Sequence, residues 1–523
     1  MKKRSTFEKI IYWTYCVLLF FIPLSLQLEI PGTGSRLMFM TEPLCMILIG
    51  LVAIHLLRGH WKRIQFTFLD KIVIVHFIFL FLSTYFSDDL LVSGKYLITL
   101  FWYVIAGYAV PRLLNIKRKE VVRSLMFYIS GVFVLSMWVL YNFARLGIFY
   151  ESSYEVGKPF IPVGHTNMSV VIEPALLIVA GLFFMTNRKR TTRIVMGSLF
   201  TVFMAVIIFS CSKASYFVVF VSLLMLVFGM YKRYFLRNIK RVLIVLSGLL
   251  LLGYIFSSGY LSNFFAVIHF AEYSFHYFIG FSVILITFLL FKRKKRYAQA
   301  IMYIYVPIAL VLGIWYLNDY LHQKKHSGSE RSFYTQGDKF YDPTDPSTYK
   351  PTNMITELTE RTKEVEDNTS NLERANRWKI GLDMYVYRPV LGIGMGTFSD
   401  KYLYYLTNNH ELITENELTQ IRMNIHNLYL TWLVEGGVFT FLSGLVLFGV
   451  IVWIMVSYFF SKKFSYLKLT LFIFLTAYFI HGLAHDFSQD PRVIILFWSV
   501  IALMNHFGVL KGKKINKTDK TTS

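Results

Sequence analysis

The chain has few cysteines and few acidic residues for its length. It contains three cysteines in 523 residues, and their spacing fits neither a disulfide framework nor a zinc site. Lys and Arg together number 54 against 31 Asp and Glu, so the formal net charge is +23. Such a charge can indicate a nucleic-acid partner, but the arrangement of the basic residues along the chain decides its meaning.

What the sequence has in abundance is hydrophobic residues. They make up 55% of the chain, and aromatic residues alone make up 18%, which exceeds what a soluble globular protein carries. We therefore predict an all-α polytopic integral membrane protein with about 12–14 transmembrane helices. The candidate spans lie near residues 10–27, 37–57, 72–86, 96–110, 124–144, 168–186, 194–209, 216–230, 242–258, 273–291, 297–317, 436–459, 469–484 and 493–508.

The basic residues alternate with the predicted spans. Roughly two thirds of them fall in every second loop and at both ends, which by the positive-inside rule predicts cytoplasmic N- and C-termini. The distribution of the basic residues thus indicates a membrane topology. We expect membrane lipids and no nucleic acid as partners. The predicted regions are a transmembrane bundle (1–317), a large extracytoplasmic loop (318–427), C-terminal transmembrane helices (428–508) and a basic cytoplasmic tail (509–523).

Three motifs lie close together between residues 374 and 437. Arg374 stands four residues before Trp378, a Pro-Val-Leu-Gly-Ile-Gly-Met-Gly segment ends at Gly396, and a His426-Asn427 pair follows. This arrangement resembles the core of the O-antigen ligase and O-antigen polymerase superfamily, in which these motifs recur in the same order. The resemblance implies a membrane glycosyltransferase that takes a glycan from a lipid carrier, undecaprenyl diphosphate.

A helix is predicted at the start of this region. Ser370 and Glu373 have the spacing of a capping box, and Pro389 would end the helix, so we expect an amphipathic basic helix near residues 371–388.

The arginines of this helix share one face. At 100° per residue, Arg374, Arg377, Gly381 and Arg388 fall within a stripe about 60° wide. Arginine forks match phosphate oxygens, and the glycine between them would leave room for a bulky anion, so the stripe predicts a diphosphate site. The alternative is a solvated basic face that touches lipid headgroups.

His426 is the candidate catalytic residue. Histidine has an unperturbed pKa near neutrality, so it can accept a proton from an attacking sugar hydroxyl. The resemblance implies this role, whereas a lone histidine is more often structural. Asn427 would orient His426 or cap the next helix, Glu435 would hold the imidazole or be an ordinary helix-end carboxylate, and His485 is a second-rank candidate for the same site.

Two further residues are assigned through the resemblance. Lys213 stands in a Ser-Cys-Ser-Lys turn where family members commonly have an arginine that contacts the diphosphate; lysine keeps the charge but lacks the planar fork. Alternatively it snorkels to the headgroups. Asn167 opens the sixth predicted span, as a polar residue often does in the family, or it is a helix cap.

Some ionisable residues lie inside predicted spans. Glu42 and Glu173 each precede a proline, and each is either functional or hydrogen-bonded to neighbouring helices near a kink. His481 is interpreted as a packing or interfacial histidine.

The glycines at 392, 394 and 396 do not follow a strand, so they favour a tight turn over a nucleotide loop. We therefore expect no metal and no nucleotide cofactor. The predicted protein transfers a glycan to a hydroxyl of a glycan or glycolipid acceptor, such as lipid A core or a growing polysaccharide, at the outer face of the bacterial cytoplasmic membrane. The competing interpretations are a polysaccharide flippase or transporter, and a non-catalytic scaffold of a glycan assembly complex.

Overall fold

The structure is a computed structural model. Three of the predicted spans (242–258, 273–291 and 297–317), most of the predicted large loop and the C-terminal tail lie outside the described residues. The residues that the structure describes are 4–30, 35–59, 66–146, 152–161, 165–184, 190–210, 212–230, 369–408, 424–460, 466–483, 485–488 and 490–506.

Sixteen α-helices and one pair of strands occupy the described part of the chain. The helices are α1 (Thr6–Phe21), α2 (Thr41–Leu57), α3 (Phe68–Tyr85), α4 (Leu90–Val104), α5 (Val110–Leu114), α6 (Arg118–Leu146), α7 (Ser152–Glu155), α8 (His165–Phe184), α9 (Arg190–Phe209), α10 (Lys213–Met230), α11 (Thr369–Tyr387), α12 (Phe398–Asn408), α13 (Leu428–Val434), α14 (Gly437–Phe460), α15 (Tyr466–His481) and α16 (Pro491–His506). A π-helical turn (Ile105–Ala109) joins α4 to α5.

Six stretches among the described helices are long and apolar enough to cross a membrane. They are Thr6–Leu24, Phe68–Tyr85, Leu90–Leu114, Lys119–Leu146, Thr166–Phe183 and Gly437–Ile454. Shorter apolar helices cover Thr41–Leu57, Ile194–Phe209, Ala214–Leu223, Leu467–His481 and Pro491–Met504. The predicted fold class, an all-α polytopic membrane protein, is confirmed.

A two-stranded hairpin is the feature of this fold that we did not predict. We expected the first span to continue to residue 27, but α1 ends at Phe21 and Pro23 follows in a 3₁₀ turn. Strands β1 (Leu26–Ile30) and β2 (Ser35–Phe39) then pair antiparallel. The alternation of apolar and polar residues in Leu-Gln-Leu-Glu-Ile is the period of a strand and not of a helix, so the signal was present in the sequence.

Close helix packing fixes the elements that carry the buried polar residues. Helix α8 lies against α15 at Gly181, where an added Cβ would overlap the Thr470 side chain. Only a glycine allows the two helices to approach so closely. This contact brings the middle of α8 next to the end of α15.

The helices α11, α12 and α13, with the loops next to them, form a small unit that we call the cap lobe (residues 369–408 and 424–434). Its core consists of fully or nearly fully buried apolar side chains from all three helices. They are Ile380, Met384, Ile393, Phe398, Tyr402, Ile425 and Val434. The cap lobe thus has its own hydrophobic core, and α13 leads from it directly into α14.

Candidate active site

Helix α11 ends two residues before Pro389, as predicted, but it begins at Thr369, so Ser370 lies inside the helix and is not its N-cap. Its Trp378 indole N–H donates a hydrogen bond of 3.1 Å to the Ile425 carbonyl. Because Ile425 precedes His426, this bond holds the arginine-bearing helix against the turn that carries the histidine. The tryptophan of the sequence motif therefore positions one motif relative to the other.

Two arginines of α11 supply positive charge beside this turn. Arg377 is only 3% exposed; it pairs with Glu373 at 3.3 Å, and its Nε has no hydrogen-bond partner in the described part of the chain. Arg374 is half-buried and has no ion-pair partner among the described residues. Burial and the neighbouring Arg377 charge lower the pKa of Arg374. Unmet donors on partly desolvated guanidiniums are suited to an anionic ligand.

His426 lies in a conformation that few side chains adopt. Its φ is +53°, in the left-handed region, and its backbone N–H donates to the Asn424 side chain at 3.1 Å. Burial, followed by the charges of Arg377 and Arg374, lowers the pKa of His426 to about 3. The imidazole is therefore neutral near pH 7, and one ring nitrogen has a free lone pair that can accept a proton.

The ring of His426 contacts the ring of a second histidine, His485. Its Nδ1 lies 3.3 Å from Nδ1 of His485, with ring centroids 5.4 Å apart. The His485 ring stacks on Phe487, with centroids 5.5 Å apart and an interplanar angle of 29°. The structure therefore brings the second-rank candidate of the sequence analysis into direct contact with the first.

Asn427 links the turn that carries His426 to the turn before His485 through hydrogen bonds. Its side-chain oxygen accepts from Tyr429 N and Leu430 N at the start of α13, so it is the N-cap of that helix. Its amide nitrogen donates to the Leu483 carbonyl at 3.1 Å, and Leu428 N donates to the Gly482 carbonyl at 2.8 Å. Of the two roles predicted for Asn427, the structure shows the helix cap.

Glu435 does not hold the imidazole, in contrast to one of the two alternatives that we considered. Its carboxylate accepts hydrogen bonds from Gly396 N at 2.8 Å and Phe398 N at 3.0 Å, at the start of α12. Burial raises the pKa of Glu435 to about 8, whereas the two N–H donors lower it. The backbone amides at the end of the glycine loop hold the Glu435 carboxyl group in this position. Glu435 is thus a helix-end carboxylate that fixes this loop.

The glycine loop itself is a tight turn, as predicted. Gly392, Gly394 and Gly396 all have positive φ, and an added Cβ at Gly392 or Gly394 would overlap the Glu435 backbone or Ser87. Gly394 N donates to the Glu435 carbonyl at 3.0 Å, and Asp88 N donates to the Ile393 carbonyl at 3.1 Å. The loop therefore packs between α13 and the turn after α3.

The predicted stripe of arginines contains two members and not three. Arg388 lies beyond the end of α11; its guanidinium pairs with Asp88 at 2.6 Å and donates to the Phe86 carbonyl at 2.8 Å. Arg388 thus anchors the loop on a carboxylate that Lys401 also contacts. Gly381 is buried against Val434, Phe398 and Ile425, so it admits α13 and leaves no room for an anion. A helical wheel assumes that the helix continues and cannot show which neighbour packs on each face.

Two predicted residues are not brought to His426 by any contact in the described part of the structure. Asn167 lies in the first turn of α8, half-buried and without a hydrogen-bond partner among the described residues. Lys213 is the first residue of α10, and its side chain lies outside the described part of the structure. Their roles stay predictions.

A buried polar cluster continues from His485 into the bundle. His481 Nε2 lies 3.0 Å from Glu173 Oε1 and 3.4 Å from Ser215 Oγ, and its ring centroid is 6.0 Å from that of His485. We interpreted His481 as a packing residue and missed this pairing. The signal was available, because His481 and His485 are four residues apart and thus close in space at a helix end.

The described ranges, with their gaps, contain no group of three or more His, Cys, Asp or Glu side chains that could hold a metal ion. The candidate site instead consists of two arginines, a histidine pair and the loops that position them.

The fold and the site define a polytopic helical membrane protein with a histidine pair, one member of which lies in the field of two arginines. Residues 264–445 match the family model described as O-antigen ligase. The resemblance to the O-antigen ligase and polymerase superfamily is thereby confirmed, and it supports an O-antigen ligase-like function in polysaccharide biosynthesis. The matched segment contains Arg374, Arg377 and His426, whereas His485 lies beyond it. No curated protein matches the chain.

Proposed function

We propose that the protein transfers a glycan from undecaprenyl diphosphate to a hydroxyl group of a second glycan or glycolipid. The observation that carries this proposal is the pair of guanidiniums, Arg374 and the buried Arg377 with its unpartnered Nε, whose charges act on the buried neutral His426. A diphosphate between them would satisfy their donors. It would also supply a leaving group whose developing negative charge they stabilise.

In the proposed reaction the acceptor oxygen attacks the anomeric carbon of the carrier-linked glycan. The bond from that carbon to the phosphate oxygen breaks, and the carrier leaves as its diphosphate. The proton of the acceptor hydroxyl passes to the ring nitrogen of His426 that does not face His485. The energy comes from cleavage of the glycosyl diphosphate bond of the donor.

Donor binding would also activate the base. In the empty site the arginines lower the pKa of His426, so it is a weak base. A bound diphosphate carries negative charge that offsets both arginines, and its field raises the pKa. His426 would then become an effective base only when the donor is present.

Transfer by purified protein in lipid vesicles tests the proposal. Radiolabelled undecaprenyl diphosphate-linked glycan is supplied with either lipid A core or a second carrier-linked glycan as acceptor. We expect the wild type to transfer label, and His426→Ala to lower the rate by about 10²–10⁴-fold, the usual range for a lost general base. Arg374→Gln is expected to raise the donor KM.

Arg388→Ala is the matched control, because Arg388 is paired with Asp88. It should change the donor KM less than Arg374→Gln does. Label on lipid A core identifies a ligase, and lengthened carrier-linked glycan identifies a polymerase. If folded wild-type protein moves the labelled lipid across the bilayer without transfer, the protein is a flippase; if it does neither, the scaffold interpretation replaces our proposal.

A further inference from the structure

The contact between His426 and His485 limits the hydrogen positions on both rings. Their Nδ1 atoms lie 3.3 Å apart, so one must donate a hydrogen and the other must accept it. The low pKa of His426 keeps that ring neutral. A neutral imidazole carries one hydrogen, so the direction of this single hydrogen bond determines whether the far nitrogen of His426, Nε2, has a lone pair or a hydrogen.

Only one of the two directions is compatible with proton acceptance. If His426 Nδ1 donates, its Nε2 has a lone pair and can take a proton; if His485 Nδ1 donates, Nε2 of His426 already carries a hydrogen. The His485 ring is fixed in place by its stacking on Phe487. The side chain of Asn427 holds the two turns in register through the Leu483 carbonyl.

A buried pair lies behind His485. Nε2 of His481 is 3.0 Å from the Glu173 carboxyl group, and the His481 and His485 ring centroids are 6.0 Å apart. Nδ1 of His481 has no hydrogen-bond partner in the described part of the chain, so His481 packs beside His485 without bonding to it through that atom. The direction of the bond between His426 and His485 is therefore set at the two Nδ1 atoms, and proton acceptance by His426 requires that His485 Nδ1 be the acceptor.

We infer that His485 is a positioning residue that holds His426 in the tautomer able to accept a proton, by presenting the lone pair of its own Nδ1. This rests on the proposed function, which requires His426 to accept a proton. His485 would also stabilise the imidazolium that forms on His426 during transfer. Its role is thus that of the orienting acceptor in a nucleophile–histidine triad, filled here by a second histidine.

The test compares His485→Ala with His485→Asn. Asparagine can place its side-chain oxygen where Nδ1 of His485 lies, so it keeps an acceptor for His426. We expect His485→Ala to lower kcat by about 10- to 100-fold, part of the usual contribution of an oriented general base, with the donor KM within twofold of wild type. His485→Asn should recover at least tenfold of that loss. Equal losses in both variants, or none in His485→Ala, overturn the inference.

A spectroscopic measurement tests the tautomer without activity. Nitrogen-15 spectra of protein labelled in histidine distinguish protonated from unprotonated ring nitrogens, and subtraction of the His426→Ala spectrum isolates His426. We expect Nδ1 protonated and Nε2 unprotonated in wild type, and a shift toward the other tautomer in His485→Ala. If wild type shows the Nε2–H form, the inference is wrong even if transfer occurs. If wild type transfers nothing but shows the expected tautomer, only the proposed function fails.

Discussion

His426 lies in an environment that opposes its protonation. Burial and the two arginines lower its pKa from the ordinary 6.5 to about 3, so the proton-accepting form is present throughout the physiological range. The same environment makes it a weak base. The residue is therefore always in the right protonation state in the empty site, and its strength as a base depends on what charge binds beside it.

This gives a pH prediction with a definite sign. A general base fails when it is protonated, so activity falls as pH decreases through its pKa. Since kcat/KM reports the free enzyme and kcat the donor complex, the acidic limb of kcat should lie at higher pH than that of kcat/KM. Initial rates of transfer measured from pH 8 down to pH 5 check this: kcat should fall within this range, whereas kcat/KM should stay flat because the pKa of His426 in the free enzyme is about 3. Residual transfer by His426→Ala should lack the kcat limb, and a wild-type kcat as flat as kcat/KM would contradict the activation of His426 by donor charge.

Also at the residue scale, the sequence predicted which residues belong to the candidate site but not which residues they contact. The sequence order indicated His426 and the arginines because these positions match a motif. It could not show that Arg388 binds Asp88 or that Glu435 binds Gly396, because those pairings join segments distant in the chain. Arg388 and Glu435 each pair with a polar group that the packing of the chain places beside them.

At the scale of elements, the glycine loop determines how the cap lobe sits on the bundle. It packs between α13 and the turn after α3, and Ser83 also donates to the Glu435 carbonyl at 2.8 Å. Gly394, with a φ of +108°, is the point of closest approach to Ser87. The loop has no space for a side chain there.

We therefore predict that Gly394→Ala is strongly destabilising. The new Cβ would overlap Ser87 and strain the backbone, which together should cost more than about 2 kcal/mol. Thermal unfolding in detergent measures the loss. Gly50→Ala is the matched control, because Gly50 lies within α2 with no atom within 4 Å of an added Cβ. Alanine favours a helix over glycine, so that variant should be neutral or slightly stabilising. Equal Tm changes in both would contradict the loop's role.

Among the elements, helix boundaries were predicted well where a residue close in sequence determines them. Helix α11 ends two residues before Pro389, a signal that acts within the chain, whereas its start at Thr369 lies one residue before the predicted cap Ser370. The hairpin was missed because a search for long apolar runs merges its alternating residues with the neighbouring helices. A period-2 test on residues 26–30 would have separated the two patterns.

At the scale of the whole molecule, composition alone predicted the membrane-spanning helical bundle. Spans of sufficient length and apolarity follow from hydrophobic runs, and the structure has such helices at six of the predicted places. The sequence could not indicate which helices pack together. The close contact of α8 with α15 includes a glycine at residue 181 that faces Thr470, a pairing of segments distant in the chain.

The predicted topology can be tested by labelling single cysteines. In a variant with the three native cysteines replaced by serine, Tyr404→Cys in the cap lobe should react with a membrane-impermeant maleimide in intact spheroplasts. Tyr404 is 69% exposed. Lys117→Cys, also exposed, lies in a loop predicted to be cytoplasmic and should react only after lysis. Labelling of both or neither in intact spheroplasts would contradict the assignment of sides.

The bonds from Asn427 and Leu428 to the carbonyls of Leu483 and Gly482 also bear on how the protein is made. His426 leaves the ribosome 59 residues before its partner His485, and α14 and α15 must be synthesised in between. A nascent chain thus has its arginines and first histidine before the turn that receives them exists. The site is completed only when the last helices insert, so a partly synthesised chain in the membrane should have no transfer activity.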